Sequence, residues 1–498
     1  WAVASSALFF PRLTDNGDEA VYLLQADALR AGHLFPPAHA PTGAFLPWLS
    51  TVAGHHYVTK YTPVFPAFIA LSRLTFGSDR GALALAAAGT IVACYLLARE
   101  ILGRRREAVL AAVLLAGSPL FLMQSATFLS YLPNVGLLMG SAAAFLAGLR
   151  RRSRSRLALA GLLGGLAVFA RPFDAALFVL PLAAWWAWSG RREARRLAGE
   201  AGWVALGALG PMAAMLAYFQ AATGSFLRPP FTFVGPSDTL GFGPHRMYAG
   251  MPYLDYTPAR AVLAFGRLVV LSGFWGFGGL VLVGLAVIGH RHRPASAGRW
   301  LAYVALTVPL GYALFWGSFS STEWGGPWRF GPFYWAPLIV PGSILGAAGF
   351  ARLWRWDRLV GRIVAGGMAA VSLFVVVQAF GGHRQFQTER DRLYAAALQV
   401  PPQAGRAVVF LPPLDGPWLL QPFSLARNAT FEAPVVWALD LGEGPNLEVV
   451  RHLPGRTPYR VAPGATRRSP TTLEQLTVAG GRLVPTGTAT GAGEASGR

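Results

Sequence analysis

The sequence predicts an all-α polytopic membrane protein with a small extracytoplasmic C-terminal domain of the α/β or β-rich type. Of its 498 residues, 53% are hydrophobic and only 13% are charged, whereas about a quarter of the residues are charged in ordinary soluble domains. The apolar residues are gathered in stretches close to the roughly 20 residues that span a bilayer, and the chain becomes polar only after residue 381. Most of the protein is therefore expected in a membrane and not around a soluble core.

The apolar stretches predict about 11 transmembrane helices. The first, 1–10, is short, and we interpret it as a transmembrane helix whose beginning precedes Trp1. The others are 81–102, 107–124, 131–149, 157–171, 174–189, 201–219, 261–289, 300–317, 331–351 and 362–381.

The arginine clusters determine the predicted topology. They follow every second helix, as expected of cytoplasmic loops under the positive-inside rule. The clusters lie at 104–106, 150–156, 191–196, 291–299 and 352–362. The intervening loops then face outward, and among them are 11–80, 220–260, 318–330 and the tail from 382.

Residues 61–76 test this topology because they are apolar enough to suggest another helix. A crossing there would place the cluster 104–106 outside and would invert every later cluster. The segment is also short and contains Pro63 and Pro66 near its start. We therefore expect an interfacial or re-entrant segment on the outer leaflet, within a large first outer loop at 11–80.

The chain accordingly divides into a transmembrane domain, 1–381, and an extracytoplasmic C-terminal domain, 382–498. In the second domain, the β-type runs 407–411 and 435–439 alternate with Pro- and Gly-containing turns, and the last dozen residues have a composition typical of disorder. The formal charge of +20 would by itself suggest nucleic-acid binding. Because many of the arginines belong to cytoplasmic loops or to a tail of nearly balanced charge, we expect no nucleic-acid partner.

Three carboxylates gather at the start of the first outer loop, at Asp15, Asp18 and Glu19. Carboxylates at the end of a transmembrane helical bundle cost free energy unless they are solvated or paired with a cation, so unpaired ones often have a function. The helical spacing of 20–30 places Asp18 and Glu19 at a helix N-terminus, where negative charge is stabilised. A carboxylate held there can act as a general base toward a hydroxyl, and a solvated turn over 15–17 is the alternative interpretation.

Lys60 is the only lysine among the 43 basic residues. It precedes Pro63 on the outer side, where a compact ammonium charge can bind a lipid phosphate, and ordinary snorkelling is the alternative. Arg171 is a second outer-side cation, which Asp174 could simply neutralise. Such cations suit an anionic lipid-linked substrate, and they would equally suit an anion transporter. The remaining outer-side cations of this set are His245, Arg246, Arg267 and Arg329.

Motifs for other chemistries are missing from the sequence. It contains no Walker phosphate-binding loop, no dinucleotide fingerprint and no HExxH metal motif. The side chains of the adjacent His55 and His56 diverge, and no third ligand lies near them in the sequence. We expect no metal site.

Several motifs occur in a consistent order along the membrane part. The first is Asp18-Glu19 with Tyr22 and Gly32, and the second is Lys60-Tyr61-Thr62-Pro63. Later blocks lie at 118–121, 130–133, 164–172 and 326–337. In order, spacing and sidedness they resemble the polytopic C-type glycosyltransferases that use polyprenyl-phosphate sugar donors, glycosyltransferase family 39, which includes protein O-mannosyltransferases and lipid A aminoarabinose transferases.

The resemblance implies a C-type (GT-C-like) fold and an inverting sugar transfer on the extracytoplasmic face, with no nucleotide or other cofactor in the site and with 61–76 as a juxtamembrane helix. Asp18 would be the general base or would position the acceptor, and Glu19 would orient the acceptor or the first-loop helix. Lys60 and Arg171 would hold the donor phosphate. Further substrate-binding candidates are Tyr22, Tyr61, His245, Arg246 and Arg329.

We therefore expect a multi-pass protein of the bacterial cytoplasmic membrane. Its partners would be membrane lipid, a polyprenyl-phosphate sugar and an acceptor that is a protein, a lipid or a glycan. The alternative function is a transporter or flippase for an anionic lipid or solute, although the chain shows no internal repeat of the kind common in transporters. An inactive relative that acts through its outer domain is a third hypothesis.

Overall fold

The computed structural model describes residues 1–11, 13–14, 16–248, 251–292, 298–393, 400, 405–411, 431–462 and 472–489. The chain packs into two compact units. One consists of Trp1–Phe9 and Leu71–Gly382, and the other of Phe10–Ala70 and His383–Arg498. Asp15 and residues 490–498, nine of the last dozen for which the sequence predicts disorder, lie outside the described residues.

The first unit is helical. Its helices up to residue 223 are α1 (Ala2–Phe9), α4 (Arg80–Leu102), α5 (Arg105–Ala116), α6 (Pro119–Gln124), α7 (Tyr131–Arg151), α8 (Arg154–Ala170), α9 (Pro172–Ser189) and α10 (Ala194–Thr223). They are followed by α11 (Pro230–Val234), the short strands β3 (Gly243–His245) and β4 (Leu254–Tyr256), and the helices α12 (Pro258–Trp275), α13 (Leu280–His292) and α14 (Arg299–Tyr312). The unit ends with α15 (Trp316–Glu323), α16 (Gly326–Phe330), α17 (Ile339–Trp356) and α18 (Arg358–Leu393), of which the last continues beyond it.

Six of the described helical segments are long and apolar enough to cross a membrane, which confirms the polytopic membrane fold class. They are Arg80–Leu102, Tyr131–Arg151, Ala194–Thr223, Pro258–Trp275, Phe333–Trp356 and Arg358–Gln385. The other stretches predicted as spans are also helical: 157–171 and 174–189 form single helices of 17 and 18 residues, 1–10 forms a helix of 8 residues, and 107–124 and 300–317 are divided into shorter helices.

Three predicted spans are interrupted in the structure, and one of them, 300–317, breaks at residues 313–315 between α14 and α15. The stretch 107–124 breaks between α5 and α6, because Pro119 starts a new helix and the Ser118 hydroxyl accepts a hydrogen bond from the Phe121 N–H at 3.2 Å, an N-cap. The stretch 261–289 breaks at residues 276–279 between α12 and α13, where Gly278 and Gly279 adopt left-handed φ values of 79° and 64° that a continuous α-helix does not contain. Hydropathy alone does not detect such breaks.

The second unit combines most of the predicted first outer loop with the tail. Its loop part consists of α2 (Asp18–Arg30), a 3₁₀ turn at Thr42–Phe45, the strands β1 (Ser50–Ala53) and β2 (His56–Thr59), and the start of α3 (Val64–Phe76). The two strands pair as an antiparallel hairpin with Ser50 opposite Thr59. Helix α3 has 13 residues, or roughly 20 Å at 1.5 Å per residue, and is too short to span the hydrocarbon core.

The tail forms a five-stranded sheet, in agreement with the predicted α/β or β-rich domain. Its strands are β5 (Ala407–Leu411), β6 (Val435–Leu439), β7 (Thr457–Ala462), β8 (Thr472–Ala479) and β9 (Arg482–Ala489), with α19 (Glu443–His452) between β6 and β7. The order is β6-β5-β7-β8-β9. Strand β5 pairs in parallel with β6 and β7, and the remaining pairs are antiparallel.

One hydrophobic core joins the tail sheet to the first outer loop. Phe45 and Tyr57 from the loop lie in the same buried cluster as Val408, Phe410 and Val436 from the sheet. The 3₁₀ turn that carries Phe45 therefore rests on the face of the tail sheet. This packing places residues 10–70 and the tail in one compact unit.

Candidate active site

Asp18 is the first residue of α2, as its helical pattern predicts. Its backbone N–H donates to the Asn16 side-chain oxygen at 3.1 Å, and its Oδ1 accepts a hydrogen bond from Trp48 Nε1 at 3.2 Å. The side chain is half-buried, and the helix N-terminus favours its negative charge. A carboxylate held in this way, with partial access to solvent, has the chemistry of a general base.

Glu19 has a different environment from its neighbour. It is 1% exposed, and its Oε2 accepts hydrogen bonds from the Thr14 N–H at 2.7 Å and from the Thr14 hydroxyl. These contacts tie the residues that precede α2 to its first turn. Of the two roles that the resemblance gives Glu19, orientation of the first-loop helix fits these contacts.

Lys60 lies directly after β2 and is only 5% exposed. Its backbone N–H donates to the carbonyl oxygen of Leu49 at 2.9 Å, so its position is tied to the residue next to Trp48. The Trp48 side chain thus contacts Asp18, and the backbone of the next residue, Leu49, contacts the backbone of Lys60. The structure brings the predicted base and the only lysine into the same part of the second unit.

Two tyrosines link the same elements. Tyr22 lies one turn after Asp18 on α2, and its ring stacks on that of Tyr61 with centroids 4.7 Å apart. The Gln25 side-chain nitrogen donates to the Tyr61 carbonyl oxygen at 3.0 Å and also bonds the Thr59 hydroxyl. These contacts fix the chain on both sides of Lys60 against α2.

Arg171 lies in the first unit, between α8 and α9, within a dense polar and aromatic cluster. Its Nε donates to Asp174 Oδ2, its Nη1 donates to the Ser130 hydroxyl at 3.3 Å, and its guanidinium covers the ring of Tyr131. The other oxygen of Asp174 accepts a hydrogen bond from the Tyr312 hydroxyl. The pairing of Arg171 with Asp174, one of the alternatives raised by the sequence, is therefore present.

Arg329 occupies α16 in the same unit. Its Nη2 donates to the Trp324 carbonyl oxygen at 3.1 Å, and its guanidinium lies 5.5 Å from the Trp324 ring centroid. Trp324 stacks on Phe333, which in turn contacts Tyr131 with centroids 5.1 Å apart. A continuous row of aromatic rings thus connects Arg329 to the ring beneath Arg171.

His245 and Arg246 lie between α11 and α12. Both ring nitrogens of His245 are 3.1 Å from backbone carbonyl oxygens, those of Ser237 and Gly241, and the buried ring stacks on Trp316. These contacts hold the loop together. The Arg246 guanidinium lies 4.4 Å from the ring centroid of Tyr253.

Within the described part of the chain, no group of three or more His, Cys, Asp or Glu side chains is arranged to hold a metal ion. His56 stacks on Phe35 with centroids 4.7 Å apart.

Trp48 and Tyr312 are the main site residues that the sequence analysis missed. Trp48 contacts Asp18 across 30 residues, and Tyr312 contacts Asp174 across 138 residues. Neither residue stands in a local motif that predicts its partner. Ser130 and Tyr131 belong to a block that carries the family resemblance, but their contact with Arg171 depends on how α7 packs against α8 and α9.

Comparisons with known sequences agree with the resemblance in one segment. Residues 60–218 match the family model of dolichyl-phosphate-mannose-protein mannosyltransferases, and residues 407–497 match the model of a domain of unknown function. No curated protein sequence matches the chain significantly.

Solved structures resemble the chain over most of its length. ArnT from Cupriavidus metallidurans in the apo state has 14% sequence identity and a TM-score of 0.56, covering 92% of this chain and 91% of its own. ArnT from the same organism bound to undecaprenyl phosphate has 12% identity and a TM-score of 0.55, covering 88% and 84%. The chain therefore has the fold of the polytopic C-type glycosyltransferases, and its residues 60–218 carry the sequence pattern of the dolichyl-phosphate-mannose-protein mannosyltransferase family.

Proposed function

We propose that this protein is a membrane glycosyltransferase that moves a sugar from a polyprenyl-phosphate donor to an acceptor on the extracytoplasmic face of the bacterial cytoplasmic membrane. The observation that carries the proposal is the placement of Asp18, held by Trp48 at the start of α2, with Lys60 tied to the neighbouring Leu49. The fold adds support, because a structure of ArnT, which shares it, contains bound undecaprenyl phosphate.

In this proposal Asp18 accepts the proton of an acceptor hydroxyl or amine. The acceptor atom attacks the anomeric carbon, and the bond between that carbon and the phosphate oxygen breaks. A single displacement of this kind inverts the anomeric configuration and releases polyprenyl phosphate. Lys60 stabilises the negative charge that grows on the leaving phosphate, in a site where low exposure strengthens the interaction.

The other residues that the sequence predicts as substrate contacts have different proposed roles. Arg171 is a proposed contact for the donor phosphate, and its ion pair with Asp174 offsets part of its charge. Arg329 and Arg246 lie over aromatic rings and are proposed contacts for substrate. For His245, the two carbonyl contacts favour a role in shaping the outer loop.

Transfer of labelled sugar by purified full-length protein in nanodiscs tests the proposal. A panel of polyprenyl-phosphate sugars would be offered with membrane extract as the acceptor source. Asp18→Asn is expected to reduce the transfer rate by at least about 100-fold, the usual contribution of a general base. Asp27→Asn, at the other end of α2 and ion-paired with Arg30, is the matched control and is expected to retain transfer.

Transfer by the Asp18→Asn variant at the wild-type rate would contradict the catalytic role. A wild-type protein that transfers no sugar from any donor, but moves an anionic lipid across the bilayer, would be a transporter or flippase.

A further inference from the structure

Trp48 occupies a constrained position between the tail core and Asp18. Its side chain is 8% exposed, and the indole N–H donates to Asp18 Oδ1. The next residue, Leu49, has a φ of 46°, a left-handed conformation that non-glycine residues rarely adopt. Such a conformation persists where the surrounding structure enforces it.

The segment immediately before Trp48 is fixed by the tail domain. The ring of Phe45 packs edge-to-face on Phe431 with centroids 4.7 Å apart. The Tyr57 hydroxyl donates to the carbonyl oxygen of Thr42 at 3.0 Å, which joins the 3₁₀ turn to the hairpin. A buried side of the tail sheet thus supports residues 42–45, three residues away from the indole that contacts Asp18.

We propose that Trp48 is a positioning residue for Asp18, and that the tail domain has the function of holding the loop segment that presents Trp48. This inference rests on the proposed function, and it gives a role to the segment that matches a domain of unknown function. The inference predicts that a substitution in the tail core changes the position of the Asp18 carboxylate, although the substituted residue itself contacts no substrate.

The indole acts on Asp18 in two ways. A hydrogen bond to the carboxylate limits its rotation, and an N–H donor stabilises the ionised form over the protonated form. Two charged residues lie on the elements that carry this contact: Glu19 follows Asp18 in α2, and Lys60 donates its backbone N–H to Leu49, the residue after Trp48. Neither changes when Trp48 is replaced by phenylalanine.

The test is the pH–rate profile of sugar transfer by Trp48→Phe, with the polyprenyl-phosphate sugar that the wild type uses. Loss of the indole donor is expected to move the acid limb to higher pH by up to about one unit. Trp186→Phe is the matched control, because Trp186 also donates its indole N–H to a carboxylate, Glu200, at 2.7 Å. The Trp186→Phe control is expected to leave the acid limb of the pH–rate profile at the wild-type pH.

A second readout is independent of transfer. The readout is the NMR spectrum of the full-length protein labelled with ¹⁵N-tryptophan, in which the Trp48 indole resonance is identified as the one that disappears in Trp48→Phe. We expect the chemical shift of this resonance to change with pH as Asp18 titrates, and we expect Asp18→Asn to abolish that change. Phe45→Leu, in the tail-facing core, is expected to shift the same resonance and reduce transfer several-fold.

Four outcomes separate the inference from the proposed function. An unmoved acid limb in Trp48→Phe, together with an indole resonance that does not titrate, would overturn the positioning role. A Phe45→Leu variant with unchanged resonance and transfer would overturn the role of the tail. Full transfer by Asp18→Asn would refute the role of Asp18 as the base. A wild-type protein that transfers no sugar from any donor, but whose indole resonance titrates, would refute the proposed function and leave the contact between Trp48 and Asp18 established.

Discussion

The guanidinium carbon of Arg171 lies 3.9 Å from the centroid of the Tyr131 ring. Arg171 is 15% exposed and Asp174 only 4% exposed at their side chains, so the pair is largely shielded from solvent. Buried charges of this kind are stable only when each keeps its partner. The cluster therefore makes a direct prediction about stability.

Asp174→Asn is expected to destabilise the protein by about 3–5 kcal/mol, because it leaves the buried Arg171 charge without its counter-ion. The midpoint of thermal unfolding in detergent, followed by circular dichroism, measures the effect. The double variant Arg171→Met with Asp174→Leu should recover most of the loss, since it removes both charges together. An Asp174→Asn protein with the wild-type midpoint would contradict the importance of the pair.

Glu19→Gln is expected to affect stability more than chemistry. It removes the charge that accepts both Thr14 hydrogen bonds, at a cost of about 1–3 kcal/mol. Thr14→Val should lower the unfolding midpoint in the same direction, and the two effects should not add, because they break one shared interaction. A Glu19→Gln protein that keeps its stability but loses transfer would place Glu19 in the chemistry instead.

Lys60→Met is expected to weaken binding of undecaprenyl phosphate about tenfold, which corresponds to roughly 1.4 kcal/mol. Native mass spectrometry or fluorescence titration with this lipid measures the affinity. Arg30→Met, which removes an ion-paired cation from the same unit, is the control and should bind as the wild type does. Equal affinity in the wild type and Lys60→Met would remove Lys60 from the phosphate site.

Tyr57→Phe tests the core between the loop and the tail through its pH dependence. Burial raises the pKa of Tyr57 to about 12 from an ordinary value of 10, so the folded state disfavours the phenolate. Between these two values the unfolded chain loses the proton first, and the wild type loses stability as pH rises above 10. The gap in unfolding midpoint between the wild type and Tyr57→Phe should therefore narrow from pH 9 to pH 11. A difference in unfolding midpoint that stays constant over this pH range would contradict the raised pKa of the buried Tyr57 hydroxyl.

The architecture was predictable because its signals are local. Apolar stretches, arginine clusters and the β-type runs 407–411 and 435–439 each report on their own segment, and the structure contains the corresponding helices and strands. The hydropathy pattern does not predict the helix breaks at 117–119 and 276–279, because these breaks depend on proline, glycine and capping geometry. The start of α2 at Asp18 followed from helical spacing.

The contacts of the candidate site were only partly predictable. The pairing of Arg171 with Asp174 spans three residues, and a single turn is enough to suggest it. Trp48 and Tyr312 reach their partners through tertiary packing, which neither periodicity nor charge patterning encodes. The core formed by Phe45 with the tail sheet joins segments more than 350 residues apart, by the numbering of Phe45 and Val408.

That shared core also has a consequence for the order of assembly. The strands against which residues 42–57 pack follow the helices of the first unit in the sequence and are therefore synthesised after them. While a ribosome is still making the membrane helices, the loop that carries Asp18 has no sheet to rest on. The packing of this loop can be completed only after the tail strands have been made, so an unfinished chain that lacks them also lacks the core that supports residues 42–45 next to Trp48.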